Sequence, residues 1–489
     1  MAKQKTYGLK VLRIAVASVF FIGLTWLFVD STGLAARYLG WMAQVQFLPA
    51  VLGLIVSFSA TLLLIVAAIL LLTWLFGRVY CSVICPMGVM QDIYAWLGGR
   101  KWLRKISKRF GPNRWHYEPG HPRFRRAVLI VFLFLLLIWH PGASIIAPYS
   151  AYARMVASFA GKGSWITLSV SIVLFVLISL WAFFKGRAWC NTVCPVGTVL
   201  GAVANHSLYR PTIDENKCTN CKACERNCKA QCIDIEHHTI NGTRCVDCFD
   251  CLEKCKFGAL HFGKANSLVS LDPLAPLDSS TSPKADPERR KFLGMLGALA
   301  VAGVAEAQHK TDGGLAVIEQ KKVPKRTVPL RPAGSMSLRR FTQHCTSCQL
   351  CVTACPEHVL RPSTDLKTLM QPEMQFDLGY CLTGCTRCAE VCPTDAIMPI
   401  RKEEKTSWQI GHAVWIRENC VVETDGVSCG NCARHCPTGA ILMVENGQGG
   451  LIPTVDTEKC IGCGHCEYVC PSRPFSAIYV EGHAQHRKI

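Results

Sequence analysis

Most of the 29 cysteines in this 489-residue chain stand in short runs, and the spacing within the runs is that of iron–sulfur ligands. Two runs lie near the middle of the chain, and each reads Cys-x2-Cys-x2-Cys-x3-Cys. In bacterial two-cluster ferredoxins with this pattern, the fourth cysteine of each run binds the cluster of the other run. Zinc sites usually pair two Cys-x2-Cys hooks instead. We therefore expect two [4Fe–4S] clusters. Their ligands would be Cys218, Cys221, Cys224 and Cys255 for one cluster, and Cys245, Cys248, Cys251 and Cys228 for the other.

Two details of these runs depart from the usual pattern. Lys229 and Lys256 stand where proline usually follows the fourth cysteine, and this could loosen the turn or shift the reduction potential. Cys232 is an additional cysteine, four residues after Cys228. Because alanine occupies this offset in three other runs, we expect Cys232 to be a small buried side chain rather than a fifth ligand.

Four more runs occupy the C-terminal part of the chain, and each ends in Cys-Pro. Two are regular, one has an extra residue in its first gap, and one has a first gap of eight residues. Sixteen cysteines predict four further [4Fe–4S] clusters, but their order does not say which runs exchange their fourth ligands. The runs are Cys345, Cys348, Cys351 and Cys355; Cys381, Cys385, Cys388 and Cys392; Cys420, Cys429, Cys432 and Cys436; and Cys460, Cys463, Cys466 and Cys470.

A different cysteine motif occurs twice in the N-terminal half, each time after a long apolar segment. Residues 77–88 and 186–197 both read Gly-Arg-x-aromatic-Cys-x3-Cys-Pro-x-Gly. Two cysteines four residues apart on a helix share one face, so each pair could point the same way. If the copies pack with pseudo-twofold symmetry, four thiolates would meet and could bind a metal or cluster, or cycle as dithiols. The alternative is a repeat with small buried structural cysteines. The residues concerned are Cys81, Cys85, Cys190 and Cys194.

The elements that position these motifs are predicted to be membrane helices. A span needs roughly 20 apolar residues, and the third of four apolar segments is short unless it extends beyond Pro141. The motifs then follow the second and fourth spans, which predicts two pseudo-repeated helical hairpins. His140, at the end of the third span, is a candidate for a quinone site, although such a residue is more often an interfacial anchor. The predicted spans are residues 11–29, 50–76, 127–140 and 165–184.

The charge distribution predicts the orientation of these spans. Residues 77–126 carry eleven lysines and arginines, whereas residues 30–49 and 141–164 together carry three. Basic loops stay in the cytoplasm, so the N-terminus and both cysteine motifs are expected on that side. The net charge of +19 is therefore explained by membrane topology rather than by nucleic-acid binding.

A targeting signal is predicted inside the chain. Residues 266–287 read as a linker, and residues 288–307 contain Arg289-Arg290-Lys291-Phe292-Leu293 before a moderately apolar stretch. This matches a twin-arginine export signal, which would carry an already folded cluster domain across the membrane. The alternative is a short linker helix that leaves the C-terminal domain in the cytoplasm.

The predicted fold class is thus an α-helical membrane domain with four spans, plus two α+β ferredoxin-like iron–sulfur domains. The boundaries are 1–204 for the helices, 205–265 for two clusters and 308–489 for four clusters. By these motifs, residues 1–265 resemble NapH/MauN-type membrane components of quinol dehydrogenases, and residues 286–489 resemble NapG/MauM-type ferredoxins. Joining the two in one chain departs from the usual pair.

The resemblance implies electron transfer from the membrane quinone pool to a periplasmic redox protein, such as the nitrate reductase system or a c-type cytochrome. It also implies the twin-arginine export machinery as a partner and a place in the bacterial cytoplasmic membrane. Whether the chain is itself an enzyme, as a quinol dehydrogenase component, stays open. An alternative is an assembly factor that reduces a metal or thiol centre of another enzyme. One difficulty is that two clusters fall inside and four outside the membrane, with no continuous path visible between them.

Overall fold

The computed structural model describes residues 2–30, 34–57, 60–100, 115–161, 164–264, 311–312, 316–317, 321–447 and 450–489. Residues 1–265 and 322–489 form one compact unit, and residues 266–321 form a second one. The second unit contains one described pair of antiparallel strands, β5 (Thr311–Asp312) and β6 (Ala316–Val317). The predicted linker, the predicted twin-arginine signal and residues 101–114 of the basic loop lie outside the described residues.

The N-terminal part of the first unit is helical. Its helices are α1 (Ala2–Val29), α2 (Leu34–Leu39), α3 (Trp41–Gln44), α4 (Phe47–Ser57), α5 (Ala60–Phe76), α6 (Val79–Val83), α7 (Pro86–Gly98), α8 (Pro122–Ile138), α9 (His140–Ile146), α10 (Pro148–Phe159), α11 (Trp165–Lys185), α12 (Ala188–Thr192) and α13 (Pro195–Ala204).

Among the described residues of this part, two helices are long and apolar enough to cross a membrane, Gly8–Val29 within α1 and Trp165–Lys185. They coincide with the first and fourth predicted spans. The second predicted span corresponds to α4 and α5, and α5 has only 17 residues. The third corresponds to α8, also of 17 residues, after which the chain turns into α9 and α10, each with proline in its first turn. Four spans therefore remain a prediction.

The two copies of the repeated cysteine motif have the same local structure. In each copy a long helix (α5 or α11) ends before a glycine with positive φ, at Gly77 (φ 77°) and Gly186 (φ 62°). Such a backbone favours glycine, which has no Cβ to clash. A five-residue helix follows, and then a helix that begins at the proline of the motif, α7 or α13.

The expectation that each cysteine pair lies on one helix is wrong. Cys81 lies inside α6, but Cys85 has an extended backbone (φ −74°, ψ 113°) and precedes α7. Cys194 has the same conformation before α13. The reason is the proline after each cysteine, which disfavours helical geometry at the preceding residue.

The first ferredoxin region consists of short strands around a short helix, which agrees with the predicted α+β fold. Strand β1 pairs with β4 and β2 with β3, all antiparallel. Its elements are β1 (Tyr209–Ile213), β2 (Ile233–Asp234), β3 (Thr239–Ile240), α14 (Asp250–Lys254) and β4 (Leu260–Lys264).

The second ferredoxin region repeats this plan on a larger scale. Strand β7 pairs with β8, β9 with β12 and β10 with β11, again antiparallel. Its strands are β7 (Leu360–Pro362), β8 (Pro372–Met374), β9 (Trp408–Trp415), β10 (Ile441–Glu445), β11 (Leu451–Val455) and β12 (Ile478–Lys488). Its helices are α15 (Leu338–His344), α16 (Leu350–Ala354), α17 (Arg387–Glu390), α18 (Val421–Thr424), α19 (Asn431–Arg434) and α20 (His465–Val469).

The two ferredoxin regions contact opposite ends of helix α1. Near its start, Lys10 forms an ion pair with Asp250 of the first region (2.9 Å). Near its end, Thr353 Oγ1 of the second region donates a hydrogen bond to Phe28 O (3.3 Å). At 1.5 Å per residue these contacts lie about 27 Å apart along the helix. We call the end with the repeated cysteine motifs the motif end, and the end at Phe28 the far end.

Candidate iron–sulfur sites

The first ferredoxin region brings its cysteines together in the two predicted sets of four. The ligand roles remain a prediction, but each set lines one cavity. We name the sets after their first cysteines. The Cys218 set is Cys218, Cys221, Cys224 and Cys255; the Cys245 set is Cys245, Cys248, Cys251 and Cys228.

Cys232 lines the same cavity as the Cys245 set. It is buried, and its Sγ lies 3.5 Å from Cys228 Sγ. The structure thus places five cysteines around this cavity, where the sequence pattern predicts four ligands and one small buried side chain.

The second ferredoxin region shows which runs exchange cysteines, a point that the sequence left open. The fourth cysteine of the first run, Cys355, joins the second run, and Cys392 joins the first. Cys470 likewise joins the third run, while Cys436 interacts electrostatically with Cys460 and Cys463 of the fourth. The resulting sets are the Cys345 set (Cys345, Cys348, Cys351, Cys392), the Cys381 set (Cys381, Cys385, Cys388, Cys355), the Cys420 set (Cys420, Cys429, Cys432, Cys470) and the Cys460 set (Cys460, Cys463, Cys466, Cys436).

The donor sets fit a polynuclear cluster better than a single ion. Zinc holds thiolate sulfur at about 2.3 Å, so its ligands must converge on one point. Among the described residues, no three His, Cys, Asp or Glu side chains are arranged to hold one metal ion. Thiols spread around a cavity instead suit the iron–sulfur cube, which lies between its ligands.

Backbone amides of the second region point at the proposed ligands. The N–H groups of Ala413, Ile397, Ala440 and Ala477 donate to cysteine sulfur at 3.3–3.4 Å. Such bonds stabilise negative charge on sulfur and tune the potential of a bound cluster. Lys405 adds a positive charge, with its Nζ 3.3 Å from Cys381 Sγ.

The four sets of this region lie in series. The runs of the Cys345 and Cys381 sets exchange their fourth cysteines, and so do the runs of the Cys420 and Cys460 sets. Cys381 N donates to Cys463 O (2.9 Å) and so joins the Cys381 set to the Cys460 set. The order is therefore Cys345 set, Cys381 set, Cys460 set and Cys420 set. Three cysteines of the Cys345 set lie at or between helices α15 and α16, and these helices pack on the far end through α9, α10 and α1.

The four cysteines of the repeated motif converge at the motif end. All four are buried, and the thiols of Cys85, Cys190 and Cys194 each interact electrostatically with Cys81. Gln91 Nε2 donates to Cys190 Sγ at 3.2 Å. The structure thus places these cysteines where they can act as one site.

The arginine of each motif copy binds the other copy. Arg78 Nη2 donates to Cys190 O (3.2 Å), and Arg187 Nη1 donates to Cys81 O (2.7 Å). Both guanidinium groups are completely buried. These reciprocal hydrogen bonds explain why the motif repeats an arginine as well as the cysteines. The repeated arginine was visible in the sequence, but its role was not.

The glycine at the end of each motif copy leaves room for the arginine of the other copy. A Cβ at Gly88 would lie 2.1 Å from Cys81 O, and a Cβ at Gly197 would lie 2.3 Å from Cys190 O. Each would also approach the arginine of the other copy within 3 Å. A backbone carbonyl can be displaced only at a large cost in free energy, so these positions require glycine.

An ion-pair network connects the motif end to the first ferredoxin region. Asp92 of α7 contacts Arg187 (2.7 Å), Lys229 (3.2 Å) and Arg13. Burial alone would raise the pKa of Asp92, but these three cations outweigh it and hold the pKa well below its usual range. Lys229 also pairs with Asp250 (2.9 Å). The lysine that replaces proline after Cys228 therefore docks this region onto the helices.

The far end contains polar side chains of a different kind. His140, Tyr149, Ser150 and Arg154 are all buried. Arg154 binds both the hydroxyl and the carbonyl oxygen of Ser144. Within the part of the chain that the structure describes, the hydroxyls of Tyr149 and Ser150 form no hydrogen bond, whereas the ring of His140 interacts with the backbone of Cys345.

Comparison with known proteins agrees with this organisation. The family described as "4Fe-4S binding domain" matches residues 58–105 and 168–210, which contain the two motif copies. The family described as "4Fe-4S dicluster domain" matches residues 344–396 and 427–473 of the second ferredoxin region. No solved structure gives a significant match.

Curated relatives match different parts of the chain. The methylamine utilization ferredoxin-type protein MauM of Methylophilus methylotrophus is 33% identical over 195 residues, 38% of this chain and 83% of MauM. MauN of Paracoccus denitrificans is 33% identical over 153 residues, 31% of this chain and 48% of MauN. The putative electron transport protein YccM of Escherichia coli is 25% identical over 187 residues, 37% of this chain and 49% of YccM.

The chain thus spans about half the length of YccM and MauN but most of MauM. Ferredoxin-type proteins named NapH and NapG are among the further relatives. With its cysteine sets, this chain is an iron–sulfur electron-transfer protein that belongs to the MauM/NapG family of ferredoxin-type proteins and carries a NapH/MauN-like part on the same polypeptide.

Proposed function

We propose that the chain passes electrons from a membrane quinol to a redox protein on the outer side of the bacterial cytoplasmic membrane. The observation that carries the proposal is the series of cysteine sets in the second ferredoxin region. The series begins with the Cys345 set on the far end of the helices and leads to the Cys420 set. An electron that enters from the membrane therefore has successive sites along which to move.

The cysteine sets define what each part of the chain does. Bound [4Fe–4S] clusters supply one-electron transfer. The chain holds them on six sets of four cysteines, lowers the energy of negative sulfur through backbone N–H groups, and places Lys405 beside the Cys381 set. The four motif cysteines would form a further cluster or redox site. It lies next to the Cys245 set, since Asn191 Nδ2 donates to Ala230 O (3.1 Å).

The proposed orientation places the motif end and residues 205–265 in the cytoplasm and residues 308–489 outside. It rests on the basic loop, on the twin-arginine pattern in residues 288–307, and on the attachment of the two ferredoxin regions to opposite ends of α1. The acceptor would be a periplasmic nitrate reductase system or a c-type cytochrome. Protease digestion of intact and inverted vesicles tests the orientation, because residues 310–489 should be cleaved only from the outer side.

Two measurements test the electron-transfer proposal on the purified full chain in lipid nanodiscs. Six clusters require about 24 iron atoms per chain and no zinc. A reduced quinol analogue should produce the electron paramagnetic resonance signals of reduced clusters. Intact clusters that quinol does not reduce would instead favour an assembly factor, which takes its electrons from another donor.

A further inference from the structure

One exposed turn of the second ferredoxin region lies against the apolar helices at the far end. It consists of residues 364–367, and we call it the Leu366 turn. We infer that this turn contacts the phospholipid bilayer, with Leu366 in the edge of the hydrocarbon and Lys367 at the lipid phosphates. The inference takes the membrane placement of the helices from the proposed function and adds a lipid contact made by the ferredoxin region itself.

The first argument is the position of the turn. Trp139 Nε1 donates a hydrogen bond to Leu366 O (2.9 Å). Trp139 directly follows helix α8, whose last two residues, Leu137 and Ile138, are 85% and 68% exposed. An exposed apolar helix end followed by tryptophan is typical of a membrane boundary, where tryptophan is enriched. The hydrogen bond therefore fixes the Leu366 turn at the level of this boundary.

The second argument is the distribution of exposed apolar side chains on the helices. They occur on α1, α5, α8 and α11, so they surround the helical part instead of forming one patch for one protein partner. Exposed aromatic side chains also lie at the far end, with Trp165 at the start of α11, and Tyr38 and Trp41 in the segment after α1. A bilayer covers all of these positions at once.

The third argument is the composition of the turn. Leu366 is 72% exposed, and the three other residues of the turn are exposed as well. A leucine beside a lysine offers an apolar group to the hydrocarbon and a cation to the phosphates, the combination found in segments that lie on membranes. Asp365 is the acid of the turn, and its Oδ1 accepts a hydrogen bond from Lys367 N (3.1 Å). This bond holds the turn in one conformation.

The turn is connected to the first cysteine set of the series. Met370 N donates to Ser363 O (2.9 Å) and so closes the loop that carries the turn. The next residue, Gln371, donates from Nε2 to Thr342 O (2.8 Å) and to Cys345 O (3.3 Å). A lipid contact at the turn therefore keeps the Cys345 set at the membrane surface.

Photolabelling of the full chain in nanodiscs tests the inference. The probe is a phospholipid with a diazirine near the headgroup end of one acyl chain, and mass spectrometry locates the labelled residues. We expect label on residues 137–140 and 165–168, at the two helix boundaries, and on residues 364–367. Leu442, which is 59% exposed in the same ferredoxin region, should carry no label.

A pair of variants sharpens the test. Leu366→Asp should lower the labelling of the turn about tenfold, because aspartate is strongly disfavoured in hydrocarbon. Leu442→Asp makes the same change at a matched position and should leave the labelling of the turn as it is. Labelling of the wild type needs no variant, so that result stands even if a substituted chain fails to fold.

The outcomes separate the lipid contact from the proposed function. Label on both helix boundaries but none on residues 364–367 overturns the contact and leaves the proposed function in place. The same holds if Leu442 is labelled equally, or if the turn is cross-linked to a second copy of the chain. A wild type without label on the helix boundaries overturns the membrane placement of the helices, and this inference with it.

Discussion

The two ends of the helical part bury polar side chains that have different kinds of partner. At the motif end, Asp92 lies among three cations, and each motif arginine binds a carbonyl of the other copy. At the far end, the hydroxyls of Tyr149 and Ser150 have no hydrogen-bond partners among the described residues. Hydrogen-bonded networks of buried polar groups rigidify a structure. The comparison indicates that ion pairs and reciprocal hydrogen bonds hold the motif end together more than the far end.

The largest effect is expected from breaking the motif-end network. Asp92→Ala should destabilise the protein by about 3–5 kcal/mol, because it leaves Arg13, Arg187 and Lys229 buried without their counter-charge. Thermal unfolding of the nanodisc protein, followed by bleaching of its iron–sulfur absorbance, measures the change. The matched control is Glu236→Ala, which removes an exposed pair with Lys222 and should cost less than about 1 kcal/mol. Equal effects of the two variants would contradict the structural role of Asp92.

A second prediction tests the contacts between the two motif copies. Gly88→Ala places a Cβ on the Cys81 carbonyl and should destabilise the protein by about 1–3 kcal/mol, as overpacking does. Gly384 meets nothing within 4 Å of an added Cβ, so Gly384→Ala serves as the control. The same unfolding measurement applies, with iron content as a second readout. If the Gly88→Ala protein were as stable as the control, the close contacts of Gly88 with the Cys81 carbonyl and with Arg187 of the other copy would be disproved.

One substitution made at both ends sharpens the comparison. Tyr80 OH donates to Gln46 Oε1 (3.1 Å) and accepts from Phe47 N (2.9 Å), so Tyr80→Phe should cost about 1–3 kcal/mol. Tyr149→Phe removes a hydroxyl without a described partner and should change stability by less than about 0.5 kcal/mol. Thermal unfolding without added quinone gives both values. A larger loss at Tyr149 than at Tyr80 would reverse the assignment of the two ends.

The smallest effect concerns pH. The pKa of Asp92 in the folded protein lies below that of an unfolded aspartate, about 3.9. Its stabilising contribution is therefore complete above that value and is lost only as pH falls through the folded pKa. The difference in unfolding temperature between wild type and Asp92→Asn should stay constant from pH 8 to pH 5. A difference that shrinks between pH 8 and pH 6 would mean that Asp92 is not held by its cations.

The sequence predicted what depends on spacing and missed what depends on packing between distant segments. Cysteine spacing was enough to predict the sets of the first ferredoxin region, because their exchange follows a known pattern. Which C-terminal runs pair was not readable, since that depends on how separate loops pack together in the folded chain. The helical geometry expected for Cys81 and Cys85 failed because Pro86 breaks the helix.

Other site residues carried no signal of their own in the sequence. Asp92 is one acid in an apolar helix, and its three cations come from three separate segments. Lys229 was noticed only as a departure from Cys-Pro, although its ion pairs with Asp92 and Asp250 give it a docking role. Tyr149 resembles any aromatic residue at a membrane boundary, and only the structure places it near Cys348 and Cys392.

The contact between Thr353 and Phe28 joins two segments of a single polypeptide. In a pair of separate proteins, such a junction would form at a rate and to an extent set by their cellular concentrations. A covalent connection replaces those concentrations by a local one, whose value the length of the connection sets. The junction can then be small and still be closed most of the time, and every membrane part is made with its own electron carrier in a fixed one-to-one ratio.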